Sequence, residues 1–280
     1  MKSKVWFVTG ASKGFGRSIV LQLLAQGQQV AATSRQLAAL APLSHENLLP
    51  LQVDLGDEKS VAAAVQATRE KFGRIDVLVN NAGYGLGGAL EELSDAESRA
   101  NFDINVFGLL NTTRQILPVM RAQQAGHVIN IASIGGLTGD FPGFGIYCAT
   151  KFAVVGLTEA LAAEVAEFGI HATVVLPGYF RTDFLAAGSI GMPANPIAAY
   201  TNVRAALEQH AQVINHNQPG DPEKAAEAII ALASEATPAK HLYLGADAYQ
   251  LAKDKLNALQ EELEQWKEVT VNTGFDAVLQ

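Results

Sequence analysis

The sequence predicts an α/β fold, a parallel sheet wound with helices, and three observations predict it. Short apolar runs alternate with helical patterns along most of the 280 residues, the order expected of βαβ units. The first such run, Val5 to Val8, passes through a glycine-rich turn into a helical pattern. The unusual short motifs all fall where apolar runs end, which in a parallel sheet is the carboxyl edge that holds ligands.

Taken in order, Val5 to Val8 is the first strand and Thr9-Gly-Ala-Ser-Lys-Gly-Phe-Gly16 the turn, followed by a helix through Ile19, Val20, Leu23 and Leu24. Strand, glycine turn and helix place backbone amides and a helix N-terminus beneath a phosphate. The spacing is G-x-x-x-G-x-G rather than the common G-x-G-x-x-G, and a turn whose glycines serve packing alone fits the same letters. Gln29 to Thr33 and Leu48 to Val53 are the next strands, the latter ending at Asp54-Leu55. A helix over Ser60 to Phe72 leads to a strand, Ile75 to Val79, that ends in Asn80-Asn-Ala-Gly83. A long helical region from about Asp95 to Ala122 follows, with a break expected near Pro118. His127 to Ala132 is a strand ending at Ser133, and the helix bearing Tyr147 runs to about Phe168. His171 to Leu176 ends in Pro177-Gly178; a helix from Pro222 to Ala236 and a short strand, Leu242 to Leu244, complete the alternation.

Composition narrows the function classes. Hydrophobic residues make up 49% and charged ones 17%, enough apolar material for a substantial core. A net charge of −8 argues against a general nucleic-acid or anionic-membrane binder. Cys148 is the one cysteine, which excludes an internal disulfide and suits a reducing compartment. The six histidines show no metal-ligand spacing, so no metal is expected and each is read as a surface or loop residue. No signal peptide and no unbroken run of 18 apolar residues is seen, so the expected location is cytoplasmic. Without repeats or linkers, residues 1–280 read as a single domain.

Chemistry concentrates between Ser133 and Lys151. Tyr147 and Lys151 are four apart, so on a helix they share a face about one turn separated. An ammonium held there is expected to lower the tyrosine pKa from its reference of about 10. A strand-end hydroxyl at Ser133 facing that phenol would suit proton transfer to or from a substrate oxygen. Cys148 points about 100° round the helix from Tyr147 and has no histidine near it in sequence, so it is not read as a nucleophile.

Two stretches stand apart. Residues 180–220 are loop-rich yet carry Phe184, Leu185, Ile190, Met192 and Tyr200, which reads as a lid over an apolar substrate or as an ordinary packed loop. The tail, 247–280, has Tyr249, Ala252, Leu256, Leu259, Leu263 and Trp266 on one stripe of an amphipathic helix. That stripe is expected to pack on its own domain, a partner subunit being the other option.

With these residues placed, the sequence resembles the short-chain dehydrogenase/reductase superfamily, in its shorter branch, over about residues 4–246. The resemblance rests on the Thr9–Gly16 turn, Asn80-Asn-Ala-Gly83, Asn105, Ser133, Tyr147-x-x-x-Lys151 and Pro177-Gly178-x-x-x-Thr182, all in order and spacing. It implies a Rossmann-like, doubly wound sheet of about seven parallel strands with helices on both faces, the C-terminal amphipathic helix being an addition. It also implies catalytic roles for Asn105, Ser133, Tyr147 and Lys151, with Tyr147 as general acid/base. The implied nicotinamide cofactor site comprises Gly10, Ser12, Lys13, Gly14, Phe15 and Gly16; Ser34 and Arg35; Asp54 and Leu55; Asn81, Ala82 and Gly83; Tyr147 and Lys151; and Pro177, Gly178 and Thr182. Thr33-Ser34-Arg35 ends the second strand without a carboxylate but with a guanidinium, and Lys13 adds a second positive charge, so NADP(H) is expected over NAD(H).

The resulting expectation is an NADP-dependent alcohol dehydrogenase or carbonyl reductase acting on a moderately apolar small molecule, as a homo-oligomeric dimer or tetramer. A 3-oxoacyl-thioester reductase is the alternative within enzymes, weakened by the lack of an evident basic patch near the lid. A non-catalytic NADP(H)-sensing protein is the alternative outside them, disfavoured by the presence of all four catalytic positions.

Overall fold

In a computed structural model, which describes residues 3–186 and 189–275, strands and helices alternate as the sequence predicts. Gly188 of the expected lid and residues 276–280 of the tail lie outside that description. β1 (Val5–Val8) leads through the glycine turn to α1 (Gly14–Ala25), β2 (Gln29–Ser34), β3 (Leu48–Gln52), α2 (Glu58–Phe72) and β4 (Val77–Asn80). A two-residue strand, β5 (Gly85–Leu86), precedes α3 (Asp95–Phe102), a π-helical segment (Asp103–Gly108) and α4 (Leu109–Gln123). Then come β6 (Gly126–Ile131), α5 (Gly145–Glu164), β7 (Ile170–Pro177), β8 (Ile190–Gly191), α6 (Thr201–Glu208), α7 (Pro222–Leu232), β9 (His241–Leu244), α8 (Ala246–Gln265) and α9 (Lys267–Val271).

Seven strands form one parallel sheet in the order β3-β2-β1-β4-β6-β7-β9. The order reverses between β1 and β4, which opens a crevice at their carboxyl ends. Apolar runs that look uniform in sequence split by strand parity. Trp6, Val8, Val77, Val79, Ile129 and Ile131 meet α1 and α7 on one face. Phe7, Leu78 and Val128 meet α2, α4 and α5 on the other. Both faces are therefore covered, as a parallel sheet requires.

Several expectations are corrected. The long helical region is interrupted at Asp103–Gly108, not at Pro118, which sits inside α4 without ending it. The expected loop-rich lid contains α6, a second π-helical segment (Gln209–Ile214) and β8, which pairs in parallel with β5. His127 is not a surface residue: it is buried on β6, bonded to Thr173 at 2.9 Å, and burial pulls its pKa down to about 4. By length and composition α5 is apolar enough to cross a membrane, a property the search for an unbroken apolar run did not register. Here α5 lies against β7 and carries Tyr147 and Lys151. The tail helix packs on the body only at its first turns, through Ala248 and Ala252; the rest of the stripe is exposed, contrary to the self-packing expectation.

Candidate active site

The glycine turn is shaped by backbone demands that a Cβ would defeat. Gly10 and Gly14 have φ of +64° and +53°, in the left-handed region, and a Cβ on Gly16 would run into the Gly10 carbonyl oxygen. Asn81 holds the turn in place: its Nδ2 donates to the Thr9 and Gly10 carbonyls at 3.0 and 3.1 Å. The Thr9 hydroxyl accepts from the Asn81 and Ala82 amides, both at 3.0 Å. The Asn-Asn-Ala-Gly stretch thus works as a brace for the neighbouring turn. Asn80 braces in the other direction, donating to Asn130 at 2.9 Å and Thr113 at 3.1 Å, while Asn130 donates to Thr158 at 2.9 Å. Sequence reading missed this buried chain because Asn130, Thr113 and Thr158 come from β6, α4 and α5 and meet only in the fold.

The N-terminus of α1 opens toward the crevice. Lys13 occupies its N-cap position, with no side-chain cap and no acidic residue in the first turn among the described residues. Uncapped amides beside three close-packed glycines fit an anionic diphosphate. Arg35 and Ser34 sit at the end of β2 on the same cavity. The Lys13 ammonium differs from expectation: it donates to Ser189 at 2.6 Å, pinning the turn to the lid.

Ser133, Tyr147 and Lys151 come together where β6 ends and α5 begins. Ser133 is extended and caps a short 3-10 turn, accepting from the Gly135 amide at 3.1 Å. Lys151 is 6% exposed, lies with Nζ 5.7 Å from the Tyr147 ring centroid, and donates to the Ile131 carbonyl at 2.9 Å. Asn105, 2% exposed, lies behind them: it donates to the Tyr84 carbonyl at 3.0 Å and to Thr150 at 3.1 Å, and accepts from the Tyr84 amide at 3.0 Å. The π-helical turn is the local feature that carries Asn105.

Electrostatics reverse one expectation. Burial pushes the Tyr147 phenol well above its usual range, opposed by the hydrogen bond with Ser133. Burial also pulls the Lys151 ammonium down to about 8. Desolvation of both groups outweighs any lowering of the phenol by the ammonium. Cys148, in the same wall, is buried and its thiol is pushed up to about 11.

One cavity of about 780 Å³ connects these parts. Every site position expected from sequence lines it except Asn105, Gly16 and Asp54. Gly16 and Asn105 act from behind the wall. Asp54 is exposed and accepts from the Gly56 amide at 2.9 Å. On the lid side Phe184, Leu185 and Ile190 line the cavity, with the Phe184 ring 5.7 Å from that of Tyr147. Met192 does not line it, and Tyr200 packs with Phe144, Val203 and Leu207. Among the lining residues that escaped sequence reading are Tyr179 and His210, paired through the phenol and Nε2 at 2.9 Å. No sequence signal marks a pair separated by 31 positions.

Comparison with known proteins identifies the family. The family described as short chain dehydrogenase matches residues 4–190. Oxidoreductase BOA17 of Botryotinia fuckeliana is 34% identical over 273 residues, covering 96% of this chain and 98% of that protein. A short-chain dehydrogenase from Streptomyces avermitilis superposes with a TM-score of 0.90 at 38% identity, covering 98% of this chain and 100% of its own. A short-chain dehydrogenase/reductase from Burkholderia phymatum, in complex with NAD, gives a TM-score of 0.79 at 27% identity over 94% of this chain and 95% of its own. ElxO with NADP bound gives 0.73 at 29% identity over 89% and 99%. The chain belongs to the short-chain dehydrogenase/reductase superfamily and is an oxidoreductase of that kind, with solved neighbours that bind NAD or NADP.

Proposed function

We propose that this chain transfers hydride reversibly between NADP(H) and the carbonyl or secondary alcohol of a moderately apolar substrate. The observation that carries the reading is the convergence of Ser133, Tyr147 and Lys151 on a cavity that also receives the uncapped α1 N-terminus. A bound nicotinamide supplies the hydride donor or acceptor; proton handling and positioning belong to this chain. Tyr147 gives its proton to the substrate oxygen in reduction and takes it back in oxidation, and Ser133 fixes that oxygen by a hydrogen bond. Lys151 would hold the nicotinamide ribose hydroxyls and keep positive charge beside the phenol as it ionises. Asn105 holds the Tyr84 backbone and the Thr150 hydroxyl, next in sequence to Lys151, and Thr182 would meet the carboxamide. The Phe184, Leu185 and Ile190 lining favours an apolar substrate body.

Cofactor preference rests on Arg35, whose guanidinium suits a ribose phosphate, with no carboxylate beside it to accept ribose hydroxyls. Catalytic efficiency across a ketone panel should be at least about tenfold higher with NADPH than with NADH, one unmatched charge-assisted contact being worth that much. Arg35→Asp should erase the difference, and Tyr147→Phe should abolish turnover while NADPH still binds. A wild type that prefers NADH removes the NADP assignment. One that binds NADPH but turns over nothing on a broad panel removes the enzymatic reading.

A further inference from the structure

The end of the chain projects from the body of the molecule. Helix α8 touches that body through Ala248 and Ala252, buried against Ile134 with Tyr243 alongside. Beyond this root every described residue from Leu256 to Phe275 is exposed. The face that buries the two alanines stays apolar as it leaves the body: Leu256, Leu259, Leu263 and Trp266 continue it, 43–60% exposed. With Tyr249 added, the open apolar surface of the stripe is on the order of 500 Å², toward the upper end of what an ordinary monomer shows in one patch.

We infer that α8 and α9 form a pairing arm whose occupant is the same arm of a second copy of this chain. Two such arms laid together with their polar flanks would bury roughly 1,200 Å² in total, the low end of specific interfaces. The spacing supports a helical partner: Ala252, Leu256, Leu259, Leu263 and Trp266 alternate at four and three, the repeat of a helix seated on another helix. The flanks carry both signs, Lys253, Lys255 and Lys267 against Asp254, Glu261, Glu262, Glu264 and Glu268. Laid antiparallel, two copies set the Lys253 and Lys255 end of one arm against the Glu261, Glu262 and Glu264 end of the other, whereas an anionic lipid surface would be offered no basic face. The inference stands apart from the reaction proposed above.

Light scattering on the full chain should give an assembly with an even number of subunits. Leu256→Glu combined with Leu263→Glu should halve its mass without changing the far-ultraviolet circular dichroism, because both side chains are already exposed in the single subunit. An otherwise wild-type surface gives a second readout. Cys148 is buried, so Gln260→Cys, beside the stripe, should be joined by a short bis-maleimide into a covalent dimer. A monomeric wild type, free or floating with phosphatidylcholine vesicles, overturns the inference. So does an unchanged mass in the double variant, or a failure of Gln260→Cys to cross-link.

Discussion

Lys151 is held in an environment that suits its chemistry better than its stability. Its ammonium has three donors, and among the described residues only the Ile131 carbonyl accepts from it. Its pKa is lowered from 10.5 to about 8 by burial. The unfolded chain therefore binds more protons than the folded one between pH 8 and 10.5, so this residue's contribution to stability improves as pH rises through that window. Below pH 8 the cost of the buried charge is present in full, roughly 3 kcal/mol at most. Lys151→Met should consequently raise the melting temperature of the cofactor-free chain at pH 7 by a few degrees while ending turnover. The advantage should fade as the melts are repeated toward pH 10.5; a variant that melts lower than wild type at pH 7 contradicts this account. The pairing of Tyr147 with Lys151 was legible in the sequence because helix geometry is local. Their desolvation was not, since it depends on β6, the lid and the far side of the cleft.

Among the elements, most local signals were read correctly and remote ones were lost. Val5–Val8, the glycine turn and the α1 stripe announce themselves within about twenty residues. By contrast β5 and β8 are two residues each and owe their existence to pairing across about a hundred positions. The π-helical segment likewise has no sequence signature, whereas Pro118 drew a break that the helix does not make. That segment has an energetic consequence. Asn105 accepts from the Tyr84 amide, so Asn105→Ala leaves that part-buried amide without its partner, while the Tyr84 carbonyl keeps Asn101 as a donor. Urea denaturation should show a loss of about 1–3 kcal/mol, the usual cost of an orphaned buried group. Unchanged stability would mean that Asn105 matters only once ligands are bound.

Across the whole molecule the parallel sheet and the position of its crevice were legible in alternating patterns along the 280 residues, whereas the strand order was not, since β1 meets β4 across about seventy positions. The exposed arm was not legible, because an amphipathic stripe says that something covers it and nothing about what. Cys148 raises a different matter. It is the chain's sole thiol, it lines the cavity, and its pKa near 11 leaves about one thiolate in ten thousand at neutral pH. Alkylation at that sulfur must wait for the surrounding wall to open, so its rate counts openings. Iodoacetamide should modify the native chain far more slowly than the unfolded one, and a saturating cleft ligand should slow it at least about tenfold further if opening and occupancy compete. A rate indifferent to ligand would mean that reagent arrives from behind α5. Cleft breathing can thus be timed in unmodified protein, with no label introduced.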